Sequence, residues 1–241
     1  MTLPAWITAK PIAHRGLFDP ARGVPENSLA AVRAAVEAGY AIEIDLRAVA
    51  GVVAVFHDSD MKRMTGVAGA LAHVSAAELK RLRLAGTDEP IPLLEDVLDL
   101  VRGRVPLMLE IKNEGRVGDL EAAVLTCLSG YEGEIAIVSF NPFSLAFFAA
   151  RAPDITRGQT ACRHRDSSLP GWRRLLQGNY LLNFVSRPHF LVYEIEGLPC
   201  WAVSWRRALG MKVIAYTARN AADVARAKRV ADNFIFEGFR P

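Results

Sequence analysis

Two acidic side chains stand two residues apart in the short segment Glu43-Ile44-Asp45-Leu46-Arg47. Side chains alternate between the two faces of a strand, so Glu43, Asp45 and Arg47 share one face, and Ile44 and Leu46 share the other. The two carboxylates therefore converge on one point, where a cation would balance their charge. A half-exposed strand that turns its polar residues to water is the alternative interpretation of this pattern.

Other polar residues follow apolar segments that predict strands. Glu110 and Lys112 repeat the alternation, and His14 and His57 each come directly after a short apolar run. With the two carboxylates of the first segment, Glu110 would supply a third hard oxygen ligand. Three such ligands suit Mg²⁺ or Ca²⁺, whereas a zinc site would more often include cysteine or several histidines.

The basic residues of these segments suggest what such a metal site would bind. Arg15 and Lys112 would make a metal-loaded site positive, and both side chains bind phosphate oxygens. Histidine side chains titrate near neutrality, so one of His14 and His57 can accept a proton while the other donates one. Taken singly, each histidine is also compatible with a structural role, but together these residues indicate phosphodiester cleavage.

The elements that must position these residues follow an alternating pattern. Eight segments predict strands joined by crossovers, near residues 12, 43, 108, 136, 157, 192, 214 and 235. Eight strands with intervening helices in 241 residues predict an α/β fold, the (β/α)8 TIM barrel. In that fold the C-terminal strand ends face one mouth, where six polar residues would lie: His14, Glu43, Asp45, Glu110, Lys112 and Tyr216.

One additional strand and one irregular segment interrupt the alternation. Segments 41–46 and 52–56 predict a hairpin, because the gap between them is too short for a parallel crossover. Residues 59–89 are irregular and contain a short helix whose Ser75 and Glu78 match a capping box. We therefore expect a single domain over residues 1–241, with a small insertion at about 59–89 after the second-strand hairpin.

Helical spacing and terminal residues predict the helices. A helix capped by Ser28 should end at Gly39, and Asn141 and Asn220 are expected N-caps of later helices. The other predicted helices are 94–101, 120–128, 143–150, 201–209, 221–230 and a segment with Trp and Arg near 171–176.

Composition limits the class of protein. The formal net charge is +3 without a dense basic run, which argues against a nucleic-acid partner. Cys127, Cys162 and Cys200 lie far apart, so we expect free thiols in a reducing compartment. There is no signal-peptide pattern and no apolar run of about 20 residues, so we expect a cytoplasmic protein without stable membrane insertion. The composition and the residue pattern of the sequence indicate no particular oligomeric state.

Five segments of the chain, in order, resemble the motifs of glycerophosphodiester phosphodiesterases. They are Ile12-Ala13-His14-Arg15-Gly16, Pro25-Glu26-Asn27-Ser28, Glu43-Ile44-Asp45, His57-Asp58 and Leu109-Glu110-Ile111-Lys112. Weaker similarities follow at Ile91-Pro92-Leu93-Leu94-Glu95, Ser139-Phe140 and Tyr216-Thr217. The resemblance extends from residue 11 to the end of the chain.

This resemblance implies a (β/α)8 barrel with an insertion after His57, and an enzyme that hydrolyses glycerophosphodiesters to sn-glycerol 3-phosphate and an alcohol. The substrate's own 2-hydroxyl would attack phosphorus, and water would open the resulting cyclic phosphate. One divalent cation, Mg²⁺ or Ca²⁺, would be the cofactor and a small diester the partner. The implied roles are metal ligation by Glu43, Asp45 and Glu110, acid-base catalysis by His14 and His57, and phosphate binding by Arg15 and Lys112.

Some residues depart from the family pattern or have two interpretations. Tyr216 stands where the family often has Trp, which affects the expected wall around the glycerol or the alcohol. Glu237 stands where an Asp is common. Glu26 and Asn27 would orient Arg15 or a histidine, or would serve only the loop and the helix start.

Other functions could use a similar barrel. A related phospholipase D, or a lyase that stops at a cyclic phosphate, would use the same site, although the insertion after His57 favours the hydrolase. A glycosidase would explain paired carboxylates but would leave the histidines and cations without a role. A non-catalytic phosphate-binding barrel should have lost a ligand or a histidine, and none is missing.

Overall fold

The computed structural model describes residues 2–113, 115–163 and 178–241. Within these ranges the strands are β1 (Ile12–His14), β2 (Ala41–Val49), β3 (Val52–Val55), β4 (Leu107–Ile111), β5 (Ile135–Ser139), β6 (Thr156–Ala161), β7 (Phe190–Glu194), β8 (Lys212–Ala218) and β9 (Asn233–Phe236). The eight predicted crossover strands are all present.

The strands form one sheet in the order β1-β9-β8-β7-β6-β5-β4-β2-β3, and β1 also pairs with β2. The second pairing of β1 closes the sheet. Neighbours such as β2 and β4, or β7 and β8, run parallel, whereas β3 runs antiparallel to β2. The closed parallel barrel of eight strands, with helices between strands and β3 as an extra arm, confirms the predicted (β/α)8 fold.

The α-helices of the described residues are α1 (Trp6–Ala9), α2 (Leu29–Ala38), α3 (Lys62–Thr65), α4 (Ala76–Leu79), α5 (Leu94–Val101), α6 (Asp119–Cys127), α7 (Pro142–Arg151), α8 (Asn183–Ser186), α9 (Trp201–Ala208) and α10 (Ala221–Val230). Short 3₁₀ helices occupy Pro20–Arg22, Leu71–His73 and Ile195–Gly197. None of the helices in these ranges is long and apolar enough to cross a membrane.

Local signals determine where the longer helices begin and end. The hydroxyl of Ser28 accepts a hydrogen bond from the backbone N–H of Ala31, and α2 ends where Gly39 adopts a φ of 70°. Asn141 and Asn220 cap α7 and α10 as predicted. The four-residue helices α1, α3 and α8 were not predicted individually, because one turn carries too little periodicity. The helix predicted near 171–176 lies outside the described residues.

The predicted hairpin joins β2 and β3. Val49 pairs with Val52 and Leu46 with Val55, so two residues form the turn. Ala50 and Gly51 have φ values of 49° and 81°, the left-handed pair that matches the twist of adjacent strands. The hairpin carries the chain from the acidic strand to His57.

The insertion after His57 is built from short elements around a core of its own. Ser75 and Glu78 form the predicted capping box of α4. Phe56, Met61, Leu71 and Leu84 are buried together in this core, which also includes side chains of the β2–β3 hairpin. This packing fixes the insertion against the end of β3, where His57 begins.

The chain divides into two compact units. One unit comprises Ala13–Glu134, and the other comprises Met1–Ile12 with Ile135–Pro241. The first contains β2, β3, β4 and the insertion. In the second, the buried amide of Asn233 donates hydrogen bonds to the carbonyls of Ile7 and Lys10, at 2.8 and 2.7 Å, which tie the N-terminal segment to β9.

Candidate active site

Three carboxylates meet inside the unit Ala13–Glu134. In the register of β2 and β4, Asp45 lies opposite Glu110, and Glu43 lies two residues earlier on β2. One oxygen from each carboxylate lies within 4.8 Å of the others, and all three residues are buried. Ile44 and Leu46 on the other face are buried as well. The alternative of a half-exposed strand is therefore wrong, because this strand is covered on both faces.

The environment of these carboxylates separates their proton affinities. Burial, followed by the charges of Asp45 and Glu110, raises the pKa of Glu43 well above its usual range. Burial also opposes ionisation of Asp45, but the charges of Lys112, His57 and Arg15 outweigh it and lower the pKa of Asp45. Asp45 therefore ionises readily, whereas Glu43 needs additional positive charge nearby before it ionises.

The donor atoms suit a divalent cation. The Oε1 atom of Glu43 is buried and has no hydrogen-bond partner within the described chain. Among the described residues, Glu43, Asp45 and Glu110 are the group of His, Cys, Asp or Glu side chains close enough to hold a metal ion. Carboxylate oxygens are the ligands that Mg²⁺ and Ca²⁺ prefer. A bound cation would satisfy the Glu43 oxygen.

Two basic side chains border the carboxylates. Lys112 Nζ lies 2.7 Å from Glu110 Oε1 and 3.1 Å from Asp45 Oδ1. Burial disfavours its charge, but the charges of Glu110 and Asp45 prevail and raise the pKa of Lys112. Arg15 follows β1, and its Nε lies 3.2 Å from Asp45 Oδ2. Both side chains are mostly covered, so both cations are held at fixed positions beside the acidic cluster.

The two predicted histidines belong to the same unit and lie at or just after the ends of two different strands. His14 ends β1, with its Nε2 atom 3.7 Å from Glu43 Oε2. His57 follows β3, and its Nδ1 atom lies 2.6 Å from Asp58 Oδ1. Burial, together with the charges of Lys112 and Arg15, lowers the pKa of His57 although Asp45 and Asp58 oppose the shift. His57 is thus biased towards its neutral form.

An ion-pair chain that the sequence did not predict connects Arg15 to His57. The Oε1 atom of Glu26 accepts from Arg15 Nη1 at 2.7 Å and from Arg63 Nη2 at 2.7 Å. Arg63 Nε donates to Asp58 Oδ2 at 2.6 Å, and Asp58 contacts His57. Arg63 belongs to α3 of the insertion, so one residue of the insertion links both sides of the site. We call Glu26, Arg63 and Asp58 the ionic chain.

Asn27 forms hydrogen bonds with Asp45 of β2 and with the backbone of Arg15. Its amide Nδ2 donates to Asp45 Oδ2 at 2.9 Å, and its backbone N–H donates to the carbonyl of Arg15 at 2.9 Å. The residue is buried and has a φ of 56°, a left-handed conformation in which asparagine is enriched. Glu26 therefore contacts the Arg15 side chain, whereas the side chain of Asn27 contacts Asp45, a residue that the sequence had not paired with it.

Gly16 brings the turn after β1 against α2. An added Cβ would lie 2.8 Å from the backbone carbon of Ala31, and the residue has a φ of 79°. We expect Gly16→Ala to reduce the free energy of unfolding by about 2–4 kcal/mol, since backbone strain and a clash with a helix combine. Thermal unfolding measures the change.

Gly23→Ala is the matched control for this substitution, because Gly23 has a φ of 69° but nothing lies within 4 Å of the added Cβ. It isolates the cost of the backbone conformation. Equal losses in the two variants would contradict the close packing of Gly16 on α2.

Tyr216 belongs to the other unit. Its hydroxyl donates to the carbonyl of Ala161 at 3.1 Å, and its ring meets that of Phe140 edge to face at 6.3 Å. These contacts fix the side chain at the end of β8. Its role in a substrate wall stays a prediction.

A sequence profile of the Glycerophosphoryl diester phosphodiesterase family matches residues 14–236. A glycerophosphodiester phosphodiesterase of Caldanaerobacter subterraneus subsp. tengcongensis is 33% identical over 162 residues, and one of Bacillus altitudinis is 33% identical over 159. Each match covers 61% of this chain and 64% of the relative. The aligned region thus spans somewhat less than two thirds of these relatives.

A solved structure extends the similarity to most of the chain. A phosphodiesterase of Oleispira antarctica, in complex with the product sn-glycerol-3-phosphate, superposes with a TM-score of 0.79. It is 26% identical, and the alignment covers 95% of this chain and 93% of that one. The profile match includes the five segments that resemble the family motifs, except for Ile12 and Ala13 at the start of the first segment. The chain therefore belongs to the glycerophosphoryl diester phosphodiesterase family.

Proposed function

We propose that this protein hydrolyses glycerophosphodiesters to sn-glycerol 3-phosphate and an alcohol. The observation that carries the proposal is the buried cluster of Glu43, Asp45 and Glu110. It combines ligands for a divalent cation with fixed basic side chains and two histidines in one compact unit. The named activity of the relatives, and the product bound to the Oleispira antarctica enzyme, support the same reaction.

In this proposal the phosphate binds beside the carboxylate cluster, within reach of Arg15 and Lys112, which pair with these carboxylates. Glu43, Asp45 and Glu110 would hold Mg²⁺ or Ca²⁺, and the ion would supply positive charge to the phosphate oxygens. Arg15 offers two N–H groups in a planar fork, and Lys112 offers a compact charge. Both therefore stabilise the additional negative charge that develops at phosphorus during displacement.

His57 is assigned as the general base. Its Nδ1 lies 2.6 Å from the Asp58 carboxylate, which accepts a hydrogen bond from the Nδ1–H tautomer. The Nε2 atom then keeps its lone pair for the proton of the glycerol 2-hydroxyl. The lowered pKa of His57 favours this neutral form near pH 7.

His14 is assigned as the general acid. As the 2-hydroxyl oxygen bonds to phosphorus and its proton passes to His57, the bond from phosphorus to the alcohol oxygen breaks, and His14 protonates that oxygen. Water then attacks the cyclic phosphate, the bond from phosphorus to the 2-oxygen breaks, and the histidines return the protons in reverse. The products are an alcohol and sn-glycerol 3-phosphate.

The test is release of glycerol 3-phosphate from glycerophosphocholine and glycerophosphoethanolamine, with chelator, with Mg²⁺ and with Ca²⁺. We expect release only with a divalent cation. Phosphorus NMR follows the same reactions, because it separates the cyclic phosphate from the open product. Accumulation of cyclic phosphate alone would assign the lyase activity instead, and absence of both products in every metal condition would reject the proposal.

The ionic chain makes Arg63 a positioning residue for His57 and Arg15. We expect Arg63→Ala to lower kcat about tenfold with a smaller change in KM. The variant loses the hydrogen bonds to the residues that contact His57 and Arg15, and such supporting contacts typically affect activity by this amount. Stability should change little, because Arg63 is 48% exposed and exposed ion pairs contribute little to it. Steady-state kinetics and thermal unfolding of the same samples measure both effects.

Lys62→Ala is the control for Arg63, since it removes a positive charge from the same short helix. Arg63→Lys should recover only part of kcat, because an ammonium cannot bridge Glu26 and Asp58 as the guanidinium fork does. Equal kcat in Arg63→Ala and Lys62→Ala would contradict the positioning role.

The proposal extends to organisation and compartment. We propose that residues 1–241 act as one phosphodiesterase domain in the cytoplasm, on a small-molecule substrate. Cys127, Cys162 and Cys200 form no disulfide bond in the described part of the chain, which suits a reducing compartment.

A further inference from the structure

The helix α9 turns its large apolar side chains towards solvent. Trp201, Trp205 and Leu209 are 66%, 58% and 69% exposed, respectively. They stand at positions i, i+4 and i+8, so they form one stripe along the helix and its C-terminal end. A surface helix normally presents polar residues to water and apolar residues to the core. This stripe therefore departs from the pattern of an ordinary surface helix.

The remaining residues of α9 show that the stripe is its outer face. Ala202 and Val203 are buried and pack inwards. Arg206 is held against the protein, because its Nη2 donates to the carbonyl of Tyr180 at 2.8 Å. Ser204 and Ala208 are exposed between the large side chains. The outer face of α9 consequently contains no charged side chain.

Neighbouring elements of the same unit carry further exposed apolar side chains. Among the described residues, six of the seven exposed large apolar side chains belong to α7, the segment around α8, and α9. Phe184 in α8 is 75% exposed, and α7 packs against α8. The hydrogen bond from Arg206 to the carbonyl of Tyr180 joins α9 to the segment just before α8. We call these six residues the aromatic face: Phe143, Leu181, Phe184, Trp201, Trp205 and Leu209.

The segments that carry the aromatic face contain basic residues but no acidic ones. Residues 142–152, 178–189 and 201–212 contain no Asp or Glu. Their basic residues are Arg151, Arg187, Arg206, Arg207 and Lys212. Arg207 and Lys212 also pair with Asp232, at 3.3 and 3.4 Å, and both remain partly exposed. The face is thus apolar with a basic border, which is complementary to an anionic surface.

We propose that the aromatic face docks on the surface of an anionic membrane. Tryptophan side chains favour the boundary between lipid headgroups and acyl chains, and exposed Lys and Arg are attracted to anionic lipids. A second copy of the chain would present the same basic border, so self-association through this face would bring like charges together. Docking of this kind needs no spanning helix. It is independent of the proposed catalytic reaction.

The experiment measures sedimentation of the full-length protein with vesicles of phosphatidylcholine, with and without phosphatidylglycerol. We expect binding to the anionic vesicles that weakens as salt is raised. The variant Trp201→Gln/Trp205→Gln should bind these vesicles with an affinity lower by about tenfold or more, because it removes two interfacial anchors. Val67→Gln is the control, since Val67 is 49% exposed but belongs to the other unit.

Folding and activity separate this proposal from the catalytic one. Both tryptophans are exposed, so the double variant should keep its melting temperature and its activity on a water-soluble diester. Failure of the wild type to bind anionic vesicles would overturn the proposal, and so would equal binding by the double variant. Concentration-dependent self-association that the double variant loses, without vesicle binding, would assign the face to a protein interface instead.

Discussion

Replacing His57 by alanine is expected to lower kcat by about 10²- to 10⁴-fold, the usual contribution of a positioned acid or base. The variant loses the group that would accept the proton of the glycerol 2-hydroxyl. The carboxylates Glu43, Asp45 and Glu110 do not contact the His57 ring through any hydrogen bond seen among the described residues, so metal binding should persist. Glycerol 3-phosphate release at saturating substrate and metal measures kcat.

Three variants show whether this effect belongs to the catalytic histidines. His14→Ala should cause a loss of similar size, because the leaving alcohol oxygen would lack its proton donor. His73→Ala should leave kcat unchanged, since His73 is an exposed histidine of the insertion. Activity of His57→Ala within about threefold of the wild type would contradict the assignment of the base, because a general base contributes far more.

Glu43→Gln is expected to abolish metal-induced stabilisation while stabilising the metal-free protein. Without metal, burial and two neighbouring carboxylates disfavour the charge of Glu43, which a neutral amide avoids. We expect the melting temperature in chelator to rise by about 2–4 °C, which corresponds to about 1 kcal/mol in a chain of this size. Added Mg²⁺ or Ca²⁺ should raise the melting temperature of the wild type but not of the variant.

The pH dependence of the metal-free protein follows from the same pKa shift. Because folding raises the pKa of Glu43, the folded state binds the proton more tightly than the unfolded state. The free energy of unfolding should therefore fall as pH rises from the ordinary glutamate pKa of about 4.3 through the raised value. Glu43→Gln should lose this part of the dependence.

Glu37→Gln is the control for Glu43→Gln, because Glu37 is an exposed glutamate on α2. It should change neither the melting temperature in chelator nor the response to metal. Metal-induced stabilisation that survives in Glu43→Gln would remove Glu43 from the proposed ligands. In Glu43→Gln, calorimetric titration should show a large loss of affinity for the metal. The loss should exceed the about 10- to 100-fold that follows removal of a residue hydrogen-bonded to a metal ligand.

Much of the fold could be predicted because its signals are local. The Ser28 cap, the Gly39 stop and the β2–β3 hairpin each depend on residues within a few positions of one another. Strand periodicity placed Glu43 and Asp45 on one face, and the structure brings Glu110 beside them. These rules act through backbone geometry, which neighbouring residues determine.

The ionic chain could not be predicted in the same way. Arg63 lies 37 positions after Glu26, in a four-residue helix with little periodicity. Its contact with Glu26 and Asp58 exists because the core of the insertion packs against the hairpin and fixes where α3 lies. No spacing rule covers that distance, since it depends on how two loops pack.

By itself, the sequence predicted where the strands and helices lie along the chain, and which residues are candidates for binding a metal and a phosphate. Tertiary structure alone decided which distant side chains support them and which face of α9 is exposed. Trp201 and Trp205 have the spacing of a buried face, yet Ala202 and Val203 occupy that position. The physical reason is that spacing defines a helix face, whereas packing against neighbouring elements decides whether that face meets the core or water.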